Sequence, residues 1–199
     1  RNCLKKITLS SKHLLGLIND VLDMSKLEAG RLDIKEEPFD LAELMNEVAA
    51  LMDSQVMQTG LVHRKHRGTI RHTALYGSSL QLRRIMLNLM SNSVKYNKPN
   101  GTIDTYATEI SDDGETALYE FRIVDSGIGM SREFIENELF KPFTQEENDA
   151  RTQYRGTGLG MSIVKALIDR LGGTIKVEST LGEGTDITYQ LLFKIDKNA

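Results

Sequence analysis

Cysteine is nearly absent: Cys3 is the only one among 199 residues. A lone thiol makes no internal disulfide and no thiolate metal cluster, and it suits a reducing cytosol. A large excess of either charge is absent too, with 25 basic against 28 acidic side chains and a net charge of −3. That balance gives no reason to expect nucleic acid or an anionic membrane as the main partner. Long apolar runs are missing: the longest stretch without Asp, Glu, Lys or Arg is eleven residues, 72–82, against the ~20 that a spanning helix needs. No basic-then-apolar signal segment opens the chain, and there is no internal repeat or low-complexity tract. What is present is 40% apolar residues. A chain of this size can bury roughly 70% of its unfolded surface, which excludes general disorder. The expectation is a soluble, cytoplasmic globular domain with one appended element.

That element is the opening segment. Leu4, Ile7, Leu14, Leu15, Ile18, Val21 and Leu22 recur at three- and four-residue intervals, which predicts one long helix stopped at Gly30. Its stripe must bury against the rest of this chain or against a partner helix from outside it; the second reading is the stronger. Residues 31–39 alternate weakly as a strand, and Asp40 caps a helix carrying Leu41, Leu44, Met45, Val48, Leu51, Met52 and Val56. Two short strands are expected in 61–76 around the basic patch Arg64–Gly68, which reads as a solvated turn more readily than as a nucleic-acid contact. A helix from near Ser78 to Asn97 opens on a Ser78–Gln81 capping box. Strands at 102–110 and 117–125 flank the hairpin signal Ser111–Gly114. A short helix near 132–139, a helix at 161–171 and strands at 174–179 and 186–195 complete the chain. This grouping indicates an α+β two-layer sandwich: helices on a mixed, largely antiparallel sheet, preceded by one long helix.

Three patterns carry chemistry. Asn88, Asn92 and Lys95 fall within an arc of about 60° on one helix, beside a stripe of Leu82, Ile85, Met86 and Leu89. Amide oxygens are hard neutral donors for Mg²⁺, which keeps water and phosphate as its other ligands; alone, the pair also reads as solvent-exposed asparagine. Asp125-Ser126-Gly127-Ile128-Gly129 follows an apolar strand, so a carboxylate there can accept from an exocyclic amine while glycines let backbone approach a flat ligand. Alone, it also reads as a strand-to-loop turn. Gly156-Thr157-Gly158-Leu159-Gly160 opens a helix, as a phosphate cradle or a hinge would. It is neither a Walker A loop nor a Rossmann fingerprint.

The order Asn88-x-x-x-Asn92-x-x-Lys95, Asp125-x-Gly127-x-Gly129, Phe140-Lys141-Pro142-Phe143, Gly156–Gly160 resembles the N, G1, F and G2 boxes of the two-component sensor histidine kinases. Gly182-x-Gly184-Thr185 fits the last glycine box, and Leu15 to Glu28 is similar to the second helix of the family's dimerisation and phosphotransfer hairpin. The resemblance covers essentially the whole chain. It implies a partial hairpin helix at 1–30 and a catalytic ATP-binding domain at 31–199, with the fold shared by gyrase, large heat-shock chaperones and mismatch-repair ATPases. It implies ATP and Mg²⁺ as ligands: Asn92 on the metal with Asn88 beside it, Lys95 toward the phosphates, Tyr96 lining the pocket. Asp125 would read the adenine amine, Gly127 and Gly129 shape the base pocket, and residues from Phe140 through Phe143, Arg151 and Gly156 to Gly158 form a lid. Leu159, Gly160 and Thr185 complete the implied contacts.

The implied reaction is transfer of the ATP γ-phosphoryl to a histidine and onward to a response-regulator receiver domain. None of His13, His63, His66 or His72 has the acidic neighbour and following proline of the family's acceptor box, and the last three lie among cationic neighbours in sequence. The acceptor is therefore expected on a first helix outside this chain, in a protein that is a homodimer and open to membrane anchoring. Gly77-Ser78 stands where many relatives have Gly-Asp, with serine expected to cap in place of the acid. Two rivals belong to other classes. A gyrase- or chaperone-type hydrolytic ATPase would need a glutamate at 88, and a nucleotide-sensing scaffold would not need the complete boxes.

Overall fold

In the computed structural model the described residues are 34–146 and 157–198, together with Gly16, Ile18, Val21, Leu22, Met24 and Ser25. These six are helical, with Ile18, Val21 and Leu22 exposed and Met24 packed on the core; the remainder of the long helix expected at 1–30 lies outside the described residues. The elements then run β1 Glu37–Asp40, α1 Leu41–Thr59, β2 Val62–Arg67, β3 Ala74–Gly77, α2 Ser79–Lys95, β4 Thr102–Asp112, β5 Thr116–Asp125, α3 Arg132–Asn137, α4 Gly160–Arg170, β6 Thr174–Thr180 and β7 Gly184–Ile195.

Local chemistry sets the helix starts. Asp40 stays extended and its Oδ1 accepts the Glu43 N–H at 2.7 Å, while Oδ2 accepts the Thr73 hydroxyl at 2.8 Å. Such a cap is worth about 1 kcal/mol. Leu41, Leu44, Val48, Met52 and Val56 form the buried stripe of α1. The capping box expected at Ser78 does not form: the serine side chain makes no cap bond. Gln81, only 5% exposed, lies on the buried face of α2, so its amide does not turn back to the helix start.

The sheet has seven strands in the order β1-β3-β7-β5-β4-β2, with β6 also pairing β7. All pairings are antiparallel except β2 with β4, which makes the sheet mixed. Ala117, Tyr119, Phe121 and Ile123 of β5 and Ile187, Tyr189, Leu191 and Phe193 of β7 alternate into the core. There they join the stripes of α1, α2 and α4 in one cluster, while Arg122, Leu192 and Lys194 between them are exposed. The result is the α+β two-layer arrangement. No helix among the described residues is long and apolar enough to cross a membrane.

The basic patch is not a solvated turn but strand β2 itself, in register from Val62↔Thr102 to Arg67↔Ala107. Its charges suit an edge strand, and all but that of Arg67 are matched by acids that only the fold brings near: Arg64 and His66 on Asp104, Lys65 and His63 on Asp53. His63, His66 and His72 thus each have an acidic partner beside their cationic neighbours. His63 Nδ1 lies 3.0 Å from Asp53, His66 Nε2 2.7 Å from Asp104 and His72 Nδ1 3.0 Å from Glu109. Glu109, beside a bulge in β4, is a buried carboxylate that accepts the backbone N–H of Arg71 at 2.7 Å and of His72 at 2.9 Å. Burial alone would raise its pKa, but the His72 and Arg71 N–H groups hold it below the usual carboxylate range.

Candidate functional site

A cleft of about 420 Å³ opens where the C-terminal half of α2, the end of β5, the start of β7 and the start of α4 converge. Asn88, Asn92, Lys95, Tyr96, Asp125, Gly129, Thr157, Gly158, Gly160 and Thr185 all line it. Arg151 and Gly156 lie outside the described residues.

One end is built around Asp125. It terminates β5 opposite Thr185 of β7, and its Oδ1 accepts the Gly127 N–H at 2.9 Å while Oδ2 accepts the Ser93 hydroxyl at 3.0 Å. Burial pushes its pKa up, opposed by the Gly127 N–H, the Ser93 hydroxyl and the Thr185 backbone. The turn beyond it is fixed by close backbone approach. Gly129 has φ +64°, and a Cβ there would lie 1.9 Å from the Thr180 carbonyl oxygen, so no other residue fits without moving β6. Asn97 holds the same end together: its Nδ2 donates to the carbonyls of Ser93 and Thr102, and its Oδ1 accepts from the Lys98 N–H and the Ser126 hydroxyl.

The other end is amide and backbone. The Asn88 Nδ2 donates to the Arg84 carbonyl at 2.9 Å, which leaves Oδ1 as the amide's open acceptor. Across from it, α4 starts at Gly160 with no side-chain cap, and Gly160 and Met161 of its first turn line the cleft at the positive helix end. A Cβ at Gly160 would sit 3.3 Å from Asn88 Oδ1 and 3.9 Å from Asn92 Nδ2. A side chain there would crowd both amides. Lys95 Nζ donates to the Tyr96 hydroxyl at 3.0 Å and lies 4.7 Å from that ring's centroid.

Several expected contacts fall outside the cleft walls. Gly127 contributes its N–H to Asp125 but does not line the space. Leu159 is fully buried in the core, with its N–H on the Thr157 hydroxyl at 3.1 Å. Phe140 is not among the lining residues, and Phe143 is 68% exposed with φ +64°, tied to Gly158 by an N–H to carbonyl bond of 3.1 Å. Sequence reasoning missed Ser91, Ser93, Met130, Phe134, Leu139, Met161 and Ile187 among the lining residues. For Ser93 a signal existed: on a helix it follows Asn92 toward the buried stripe, where a hydroxyl needs a partner. For Met130 and Phe134, in loop and short helix, none did.

Chemically the cleft can take a flat ring bearing an exocyclic amine at the Asp125 end and an anionic group at the α4 end. Residues 77–195 match the family described as histidine kinase-, DNA gyrase B-, and HSP90-like ATPase. The chain is 38% identical over 184 residues to the sensor protein GacS of Pseudomonas syringae, an alignment covering 92% of this chain and 20% of that protein. It is 36% identical over 195 residues to the circadian input-output histidine kinase CikA of Synechococcus elongatus, covering 94% and 24%. The crystal structure of full-length ShkA in complex with AMPPNP superposes with a TM-score of 0.79 at 28% identity, over 98% of this chain and 39% of that one. The chain therefore spans about a fifth to a quarter of the length of GacS and CikA. With more than half of its residues inside the family match, the chain belongs to the histidine kinase-, DNA gyrase B- and HSP90-like ATPases.

Proposed function

We propose that this chain is the ATP-binding catalytic core of a sensor histidine kinase. In this reading residues 31–199 are the catalytic domain, and residues 1–30 are part of the second helix of a dimerisation and phosphotransfer hairpin. The reaction it serves is transfer of the ATP γ-phosphoryl to a histidine outside this chain, and from there to a receiver-domain aspartate. The working protein is a homodimer through its hairpin helices, acts in the cytoplasm and uses no nucleic acid. One observation carries the reading: a single cleft joins a fixed, partly buried carboxylate at one end to paired amides and an uncapped helix start at the other.

The residues divide the work. Asp125 accepts from the adenine amine, with Gly127 and Gly129 shaping the base pocket, Tyr96 along its wall and Thr185 beside it. Thr157, Gly158 and the first turn from Gly160 offer backbone N–H groups to the phosphates, with Leu159 anchoring that turn in the core. Lys95 and Arg151 add positive charge, and Phe140, Phe143 and Gly156 belong to the lid. Asn92 and Asn88 suit Mg²⁺ as hard neutral donors: Asn88 Oδ1 is open, and among the described residues no side chain bonds the Asn92 amide. Bound there, Mg²⁺ supplies charge neutralisation to phosphoryl transfer. The sole carboxylate among the described residues lining the cleft is Asp125, at the base end. Position 88 holds an amide that cannot take a proton from water, which favours transfer over a hydrolytic clamp.

The test is twofold. Calorimetry should show Mg·ATP binding that Asn92→Ala weakens by about tenfold or more, since a contact to a charged group is worth about 1.5–3 kcal/mol. Incubation with γ-labelled ATP should leave this chain unlabelled and put acid-labile phosphate on an added hairpin bearing the acceptor histidine. Unchanged affinity in the folded variant would remove the metal assignment. Release of free phosphate with no labelled hairpin would remove the kinase reading.

A further inference from the structure

A second cavity lies between the helical layer and the inner face of the sheet, on the side of edge strand β2. It holds about 90 Å³ and shares no lining residue with the first cleft. Its origin is legible in the residues. Ala49 of α1 and Ala107 of β4 both line it, so small side chains stand on the helix wall and the sheet wall alike. Met45 of α1 with Met86 and Met90 of α2 supply much of the remaining surface, over Phe121 of β5. Methionine side chains are unbranched and adapt their shape to a guest. His63, Thr105 and Tyr106 also line it, but the lining surface is mainly apolar, so the interior favours an apolar occupant.

The mouth has a different chemistry. Lys65 and Arg67 of β2 border it, but they are not equivalent. Lys65 Nζ lies 2.6 Å from Asp53 Oδ2, so its charge is already matched. Arg122, also at the cavity, holds Asp186 through Nε at 2.9 and 3.0 Å. Arg67 is exposed, and its guanidinium donates to the neutral amide oxygen of Asn46; among the described residues no carboxylate pairs with it. The site thus offers one unneutralised positive charge beside an apolar interior.

We propose that this cavity binds short-chain aliphatic carboxylates, the tail lying among Met45, Met86 and Met90 and the carboxylate on Arg67. The volume selects a slender tail. A dry engineered cavity of about 150 Å³ admits benzene, and this one is smaller. The planar guanidinium fork matches a carboxylate geometrically, and a single charge matches a monoanion. The site is independent of the nucleotide cleft and of its reading.

The experiment is methionine-methyl NMR on the full chain, titrated with hexanoate and, separately, with hexanol, which has the same tail and no charge. Hexanoate shifts the Met45, Met86 and Met90 methyls saturably, and hexanol does so only at about tenfold higher concentration, the factor expected for one charge-assisted hydrogen bond. Arg67→Gln weakens hexanoate by about the same factor and leaves hexanol unchanged. Ala107→Leu, or Ala49→Leu from the helix side, fills the space and removes both responses. Absence of saturable shifts with hexanoate overturns the site, as does undiminished binding to a folded filled variant. Equal response to hexanoate and hexanol, or an Arg67→Gln variant that binds hexanoate as before, overturns the assignment of an anionic ligand.

Discussion

Asp125→Asn should make this protein more stable and weaken its hold on ATP. The substitution keeps shape and volume. Asn Oδ1 can still accept the Gly127 N–H, and Nδ2 can donate to the Ser93 oxygen, which then accepts where it now donates. What changes is charge. The wild-type carboxylate is partly buried, and burial raises its pKa despite the Gly127, Ser93 and Thr185 hydrogen bonds. A raised carboxylate means the folded state binds its proton more tightly than the unfolded chain does. Its ionised form therefore costs stability at neutral pH, and that cost fades as pH falls through the raised folded value toward the ordinary carboxylate value. Removing the charge should lift the melting temperature at pH 7, with the gain over wild type closing as the solution is acidified through that window.

Binding moves the other way. The asparagine Nδ2 presents a donor where the adenine amine needs an acceptor. Loss of a hydrogen bond to a charged group is worth about 1.5–3 kcal/mol, so affinity for ATP should fall by about 10- to 100-fold, more with the two donors opposed. Thermal unfolding across pH, with and without Mg·ATP, reads both effects in one series. A variant that melts lower than wild type at pH 7, or one that keeps wild-type ATP affinity, refutes the account of Asp125 as a strained reader of the base.

Ser93→Ala removes the donor to Asp125 Oδ2 and should weaken ATP binding by about tenfold while also lowering the urea midpoint; an unchanged dissociation constant would mean that the carboxylate orients itself. Gly158→Ala forces a side chain onto φ +70° and places Cβ 2.7 Å from the Phe143 carbonyl carbon. It should cost at least about 1–2 kcal/mol by chemical denaturation and reduce ATP affinity as well, since the two segments must part at the cleft. Glu109→Gln leaves the N–H groups of Arg71 and His72 with a poorer acceptor in a buried site, and should cost about 1.5–3 kcal/mol at pH 7. Because the folded Glu109 pKa is lowered, its contribution is complete above the ordinary Glu value and is lost as pH falls through the lowered one. The gap between the two proteins' melting temperatures should therefore narrow in that window.

Much of this architecture was legible because local chemistry and tertiary context agree. Asp40 reads as a cap and is one, and the alternation of 117–125 and 186–195 gives two central strands. The failures share a cause. Arg64 to Arg67 look like a solvated turn because nothing local tells an edge strand that Asp104 and Asp53 wait 38 to 40 and 12 residues away to match its charges. The same distant acids add acidic partners to the expected cationic surroundings of His63 and His66. Ser78 and Gln81 have capping-box spacing, but Gln81 belongs to the buried face of α2, and burial overrides the reciprocal bond. In the cleft, residue types with fixed offsets on one helix were readable, as with Asn88, Asn92 and Lys95. Ser93 was missed because its role needs a strand end more than thirty positions away.

The two ends of the cleft are held differently, and this decides how mutations there should partition. At the base end, Asn97 bonds α2, the start of β4 and the loop after β5, while a Cβ at Gly184 would meet the Asp125 carbonyl oxygen at 2.0 Å and one at Gly129 the Thr180 oxygen at 1.9 Å. Strand ends, turn and carboxylate are one packed unit, so any change there shifts fold and ligand affinity together, in the same or opposite directions. At the other end the groups are backbone N–H donors and amides with few partners among the described residues: α4 begins with no side-chain cap, and Asn88 bonds its own helix through Nδ2. A helix start without a side-chain cap presents backbone N–H donors of the kind that receive an anion. Changes to Asn88 or Asn92 should therefore act on ligand affinity with little stability cost, because the proposed anionic half of the ligand meets amides that few described side chains hold in place.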